Sequence, residues 1–323
     1  MAASGLKTLK DMERKIVGIG ETVLDIVFKE GKPQAAVPGG STFNAMVSLG
    51  RTAGVFCPDV PIVMVTQIGD DMVGEMVMSF MRENNVRTDA VNCVGGAQTA
   101  VSIAMLNEQN DARYEFYRGR SGSHDGFAEI EFHEGDIVLF GSFFAVDPSI
   151  RDYVGRTIRS AHDAGAVVYY DINYRKNHLA DLPVTRSFIE ENCAMSDFVR
   201  GSSEDIEYVY GCKDASEAYR EHLAPLCRNF ICTHGAGPVD VFSPGLHAQY
   251  KTTKVKTVST IGAGDNFNAG FVFGLLTGGM DRAQSLGLTR GNWTALVRTA
   301  KKFSSCVCRS IYNYVDKDFY KKI

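Results

Sequence analysis

A mostly parallel α/β sheet flanked by helices, with a small β unit attached, is the architecture this sequence predicts. Three observations carry it. Short apolar runs of strand length alternate with longer helical stretches and end in glycine or polar residues, the rhythm of βα units. Between residues 86 and 117 that rhythm gives way to alternating segments around Gly95-Gly96 and a turn at 107–111, a pattern of antiparallel strands. At Gly262-Ala-Gly264 a glycine turn opens into an apolar run rich in small residues, which reads as a buried helix.

The totals agree with a globular chain. The 323 residues are 45% hydrophobic and 22% charged, enough for a large core without cross-links. A net charge of −4, with no long Lys/Arg block, argues against nucleic-acid or membrane-surface binding. The start, Met-Ala-Ala-Ser-Gly-Leu-Lys, lacks the apolar stretch of a secretory leader, and no run is long enough to span a membrane. A cytoplasmic protein is expected, and the eight scattered cysteines, without Cys-x-x-Cys spacing, fit reduced thiols there. One domain over residues 1–323 is expected, with a small flap formed by about 21–37 and 86–120.

Taken in order, Lys15-Ile-Val-Gly-Ile-Gly20 is a first strand, and the alternating residues 21–28 continue it or form its neighbour. Asp25 is an acid inside that apolar run, either an outward edge residue or a ligand contact. In Pro38-Gly-Gly-Ser-Thr-Phe-Asn44, Ser41 or Thr42 can cap a helix whose apolar face carries Ala45, Met46 and Leu49. Gly39 and Gly40 let a partner approach the backbone, and Asn44 faces that space from the first turn. Residues 61–66 form a strand, followed by a glycine-acid turn and a helix to about 84. Strands at 136–140 and 166–170 flank a helix at 148–164. The second strand runs into Asp171-Ile-Asn-Tyr-Arg175, polar residues at a strand end where open sheets bind ligands. Residues 196–200 lead into a capped helix near Ser202-Ser-Glu-Asp205. A strand at 229–233 turns at His234-Gly-Ala-Gly237, and short strands follow near 239–242 and 248–255. A long helix then leaves the glycine turn, and a second covers 283–303.

The turn at 262–264 suits an anion, since several N–H groups converge with a helix dipole behind them, and phosphate is the usual occupant. Asp265 either caps that helix or faces the anion. Other chemistries lack their motifs. There is no Walker A loop, protein-kinase signature, G-x-S-x-G or H-E-x-x-H, and every Gly-x-Gly turn fails the full dinucleotide pattern.

Ser259-Thr-Ile-Gly-Ala-Gly-Asp-Asn-Phe-Asn-Ala-Gly-Phe271 resembles the C-terminal signature of the PfkB (ribokinase-like) carbohydrate kinases. Gly39-Gly40 with Asn44 and Gly50 is similar to their N-terminal signature, and Gly69-Asp-Asp-x-x-Gly74 to the turn after the family's next strand. Asp171-Ile-Asn-Tyr-Arg175 resembles the run of fructokinase-like members. The resemblance implies Asp265 as catalytic base and the amides of Gly262, Ala263 and Gly264 as the hole for the transferred phosphoryl group. It implies sugar contacts from Asp25, Gly39, Gly40, Asn44, Asp171 and Asn173, with Arg175 near phosphate. It also implies ATP contacts from Ser202, Thr233, Gly235 and Gly237. The family's Asn-x-x-Glu pair, linked to magnesium, corresponds to Ser202 and Asp205, so Asp205 is the metal candidate. ATP and Mg2+ are the expected cofactors, with a monovalent cation such as K+ as a further one. Ser259 stands where many members have Asp, and the tail lacks the usual Gly-Ala.

The chemistry is consistent with that assignment. Phosphoryl transfer asks mainly for positioning and charge stabilisation, a carboxylate must accept the hydroxyl proton, and backbone donors at a helix start need no reorganisation. A lid that excludes water limits wasteful hydrolysis of ATP. Fructose leads as substrate. Phe116-Tyr-Arg-Gly-Arg-Ser-Gly122 also resembles 2-keto-3-deoxygluconate kinases, where Arg118 can pair with a substrate carboxylate; ribose and a nucleoside stay open. An NAD(P)-dependent oxidoreductase and a non-catalytic sugar-binding regulator are the competing classes. The partners expected are the sugar and ATP, with a homodimer formed through the lid.

Overall fold

The Val- and Ile-rich runs become parallel strands because they are buried on both faces. The computed structural model describes residues 14–106, 112–117, 126–252 and 255–323. In chain order the first strands are β1 (Ile16–Ile19), β2 (Val23–Lys29), β3 (Lys32–Gly39), β4 (Ile62–Gly69), β5 (Val91–Val94), β6 (Val101–Leu106) and β7 (Ala112–Tyr117). They are followed by β8 (Ile137–Gly141), β9 (Val167–Asp171), β10 (Phe198–Ser202), β11 (Asn229–Thr233), β12 (Val239–Ser243) and β13 (Leu246–Tyr250). The helices are α1 (Ser41–Phe56), α2 (Met72–Glu83), α3 (Arg151–Asp163), α4 (Leu182–Ala194) and α5 (Ser203–Tyr210). After them come α6 (Ala215–Ala218), α7 (Ala263–Thr277), α8 (Arg282–Ser285) and α9 (Arg290–Val307).

Nine strands form the large sheet in the order β13-β12-β11-β10-β9-β8-β1-β4-β5, parallel except where β12 pairs with β11 and β13. β1 lies between β4 and β8 and pairs in parallel with both, so the strand order reverses there. Such a reversal opens a crevice at the strands' C-terminal ends. Alternation along each strand divides the core. Ile16, Leu139 and Tyr169 pack with Phe43, Phe271 and Trp293 of α1, α7 and α9 on one face. Val17, Val138 and Tyr170 pack with Ile158, Ile189 and Ile206 of α3, α4 and α5 on the other.

Four strands form a separate sheet, β3-β2-β6-β7. Its two hairpins are antiparallel, but the central β2–β6 pair is parallel, with Asp25 opposite Ser102. Two sequence expectations change. Val91–Val94, placed in the flap range 86–120, pairs with β4 of the large sheet. The single helix expected over 283–303 is two, because Asp281 and Thr289 each start a helix with a capping box. Among the described residues, no helix is long and apolar enough to cross a membrane.

Candidate active site

Two helix starts meet at the switch in strand order. α1 begins at Gly40, where φ is 120° and an added Cβ would lie 2.2 Å from the Glu21 carbonyl oxygen. No side chain caps this start, so neither Ser41 nor Thr42 takes the role expected of it. The Ser41 hydroxyl donates to Asp265 Oδ1 at 2.7 Å and Asn44 Nδ2 donates to Oδ2 at 2.8 Å. Thr42 donates to the Ile19 carbonyl at 3.4 Å.

α7 begins at Gly262, with φ 73° and again no side-chain cap. The Asp265 carboxylate, third in that helix, is clasped by the first turn of α1. Ala263 N–H closes the turn onto the Thr260 carbonyl at 3.2 Å. The next amides, of Gly264 and Asp265, belong to the first turn, where the helix holds no carbonyl for them. Burial raises the Asp265 carboxyl above its usual range, opposed by the Asn44 and Ser41 bonds and the charge of Arg175. A carboxylate so placed takes up a proton more readily than one in water.

Asp25 projects inward from β2 and is 7% exposed, which decides against an edge residue facing solvent. The Ser102 hydroxyl donates to Oδ1, and Asn313 Nδ2 donates to Oδ2 at 3.1 Å. Gly39 leaves room for this carboxylate, since a Cβ there would lie 2.1 Å from Oδ2. Burial pushes Asp25 up to about 6; Asp265 and Glu21 add to the shift, and the Ser102 and Asn313 bonds oppose it. Asn44 Oδ1, buried and without a hydrogen-bond partner, adds an acceptor beside the Asp265 carboxylate.

On the other side of the turn, Asp171 accepts from Arg200 Nη1 at 2.9 Å and from Asn268 Nδ2 at 2.7 Å. Arg200 Nη2 also donates to Thr233 Oγ1 at 2.5 Å, tying β9 to β11. Its guanidinium lies against the turn, 3.0 Å from where a Cβ on Gly264 would be. Sequence reasoning passed over Arg200, although a charge inside a buried strand must have partners. Asn173 takes φ 37° and donates to Ser142 Oγ at 2.7 Å, and Arg175 is exposed. Gly235, φ 58°, sits in a turn closed by Gly237 N–H onto the His234 carbonyl at 2.8 Å. Arg118 lies outside the described residues. A cavity of 730 Å³ opens beside Asp70, Asp71 and Cys93 at α2 and includes none of these groups.

Asp205, the expected metal candidate, is held by hydrogen bonds at the start of α5. Its Oδ2 accepts from the Ser202 N–H at 2.6 Å and the Ser202 hydroxyl at 2.7 Å, and its Oδ1 from the Tyr174 N–H at 2.6 Å. Both oxygens thus hold a helix start and the neighbouring loop. Among the described residues, no group of three or more His, Cys, Asp or Glu side chains is placed to hold a metal ion.

Comparison with known proteins agrees with this geometry. The model of the pfkB family of carbohydrate kinases matches residues 13–313. A fructokinase from Rhizobium leguminosarum bv. trifolii is 27% identical over 274 residues, covering 80% of this chain and 79% of that protein. Probable fructokinase-2 of Arabidopsis thaliana is 24% identical over 269 residues, covering 80% of each. Among solved structures, aminoimidazole riboside kinase from Salmonella enterica, complexed with aminoimidazole riboside and an ATP analog, aligns with a TM-score of 0.79 at 19% identity, over 96% of this chain and 98% of that one. Fructokinase with bound ATP from Xylella fastidiosa aligns with a TM-score of 0.78 at 21% identity, over 93% of each chain. These likenesses establish the ribokinase-like fold. The chain belongs to the pfkB family and is a sugar kinase.

Proposed function

We propose that this sugar kinase transfers the γ-phosphoryl group of ATP to a hydroxyl of fructose, with Asp265 as the base. One observation carries the reading: a buried carboxylate stands at the same glycine-started helix turn that offers backbone donors, and a second helix start holds it in place. Asp25 and the orphaned Asn44 Oδ1 accept sugar hydroxyls and orient one of them toward Asp265. As the new O–P bond forms and the bond to ADP breaks, the hydroxyl proton passes to Asp265, whose two oxygens Ser41 and Asn44 keep in register. First-turn amides of α7 receive the charge on the moving group. Magnesium, when bound with the nucleotide, would neutralise phosphate charge.

On the nucleotide side, Thr233 and the Gly235 turn receive ATP. The four-stranded sheet, which bears Asp25 and Ser102 on its central strands, acts as the lid. Pairing of two lids would give a homodimer, and eight unpaired thiols fit the cytoplasm. Fructose is favoured because both curated relatives above are named fructokinases. The test is a coupled ADP-release panel with fructose, ribose, 2-keto-3-deoxygluconate and a nucleoside, with Asp265→Asn as control. Fructose should give the highest kcat/KM, and the variant should release almost no ADP. A different leading sugar overturns the substrate, and near wild-type turnover by the variant removes Asp265 from the role of base.

A further inference from the structure

Residues 311–315 return to the centre of the site. Asn313 is 3% exposed, and its side chain donates to Asp25 Oδ2 at 3.1 Å. Its carbonyl accepts from Asn266 Nδ2 at 2.7 Å, and the same amide donates to the Gly262 carbonyl at 2.8 Å. A Cβ on Gly262 would lie 2.8 Å from the Asn313 carbonyl oxygen, so the tail rests directly on the turn. Two more bonds anchor it. Val315 N–H donates to Ser48 Oγ at 3.1 Å, while Ser48 donates to Asn266 Oδ1 at 2.6 Å. Arg51 donates to the Val315 carbonyl at 2.6 Å and lies over the Tyr314 ring, 4.6 Å from its centroid.

We propose that residues 311–315 form a strap coupling the sugar-holding carboxylate to the phosphoryl turn, with Asn313 as the positioning residue for Asp25. The hydrogen bonds run from Asp25 through Asn313 to Asn266, the neighbour of Asp265 in the chain. A displacement at either end is therefore felt at the other. The inference rests on Asp25 being a sugar contact. The charged and titratable groups that face Asp25 are Asp265 and Glu21, with Tyr314 of the strap itself. The Asn313 amide is one of two donors that oppose the effect of burial on Asp25. Without it the carboxyl holds its proton to higher pH, and the acid limb of kcat/KM moves upward.

The experiment compares Asn313→Ala, Asn313→Asp and Asp25→Asn, with fructose and ATP as substrates, through both KM values and pH profiles. In Asn313→Ala the acid limb should move to higher pH. Its fructose KM at pH 7 should rise about tenfold, as expected for loss of a hydrogen bond to a charged group, while the ATP KM changes less than about twofold. Asn313→Asp preserves the shape and the backbone bonds but sets a like charge against Asp25, and should move the limb further. A folded Asn313→Ala protein with wild-type fructose KM and pH profile overturns the strap; if that variant does not fold, the same result in Asn313→Asp does so. Loss of fructose binding in Asp25→Asn with no effect of either Asn313 variant sinks the strap alone. An unchanged fructose KM in Asp25→Asn sinks both the strap and the sugar-site reading beneath it.

Discussion

The starts of α5 and α7 each carry an aspartate as the third helical residue, and the two carboxylates do different work. Asp205 reaches back to Ser202 and closes a capping box. Asp265 has no such partner, because the cap position holds Gly262. Its carboxylate turns to Ser41 and Asn44 on another helix, which itself starts on a glycine. Both acids are buried, at 3% and 8% exposure, so burial does not distinguish them. The residue at the cap does. A serine there commits the acid and the first amides to the helix, and a glycine leaves both for a ligand.

Removing the free acid gives the largest expected effect. Asp265→Asn should lower kcat by about 10²–10⁴-fold while the melting midpoint changes little, as measured by ADP release and thermal unfolding. A loss of stability on the scale of the loss of activity would place Asp265 with Asp205 among structural acids.

Next is Asp25, an acid whose ionisation the fold itself disfavours. Its folded value of about 6 exceeds the ordinary 3.8. Ionisation therefore destabilises the fold fully above about pH 6, and the penalty is absent below the ordinary value. At about 1.4 kcal/mol per unit the penalty is roughly 3 kcal/mol, so Asp25→Asn should stabilise the protein by up to that amount at pH 8. The gain should vanish near pH 4. Chemical denaturation at the two pH values reads it, and a gain that does not vary with pH would contradict the assignment.

The smallest effects come from changing the caps themselves. Gly262→Ala forces a side chain into φ 73° against the Asn313 carbonyl and should cost roughly 1–3 kcal/mol, with turnover falling as well. Ser202→Ala should cost about 1 kcal/mol, read as a shift in the denaturation midpoint. A loss of ATP affinity larger than that loss of stability would support Ser202 as the expected nucleotide contact.

Much of the site was legible because its residues sit in short local patterns. The Gly39-Gly40/Asn44 stretch and the Gly262–Asp265 turn each announce a helix start with something close to the backbone. The βα rhythm likewise exposed the sheet. What stayed hidden depends on distant residues meeting. Nothing in Ser41 or Asn44 names Asp265, more than 220 residues further on, as their acceptor. Asn313 sits in a tail with no recognisable pattern, and Arg200 shows its purpose only once β9 and β11 flank its strand. The hydrogen bonds of Asp205 stayed hidden because a capping box and an acidic metal motif use the same residue types at the same spacing. The split between α8 and α9 was missed because Leu286 and Leu288 continue the apolar rhythm across the break.

The bond between Asn313 and Asp25 joins residues 288 positions apart. On the ribosome, strands near the N-terminus can pair long before the tail emerges, since domains are built from that end. Asp25 has no such head start: its Asn313 donor is made 288 residues later. A growing chain that has not reached residue 313 thus carries the sheet with Asp25 lacking one of its two side-chain donors.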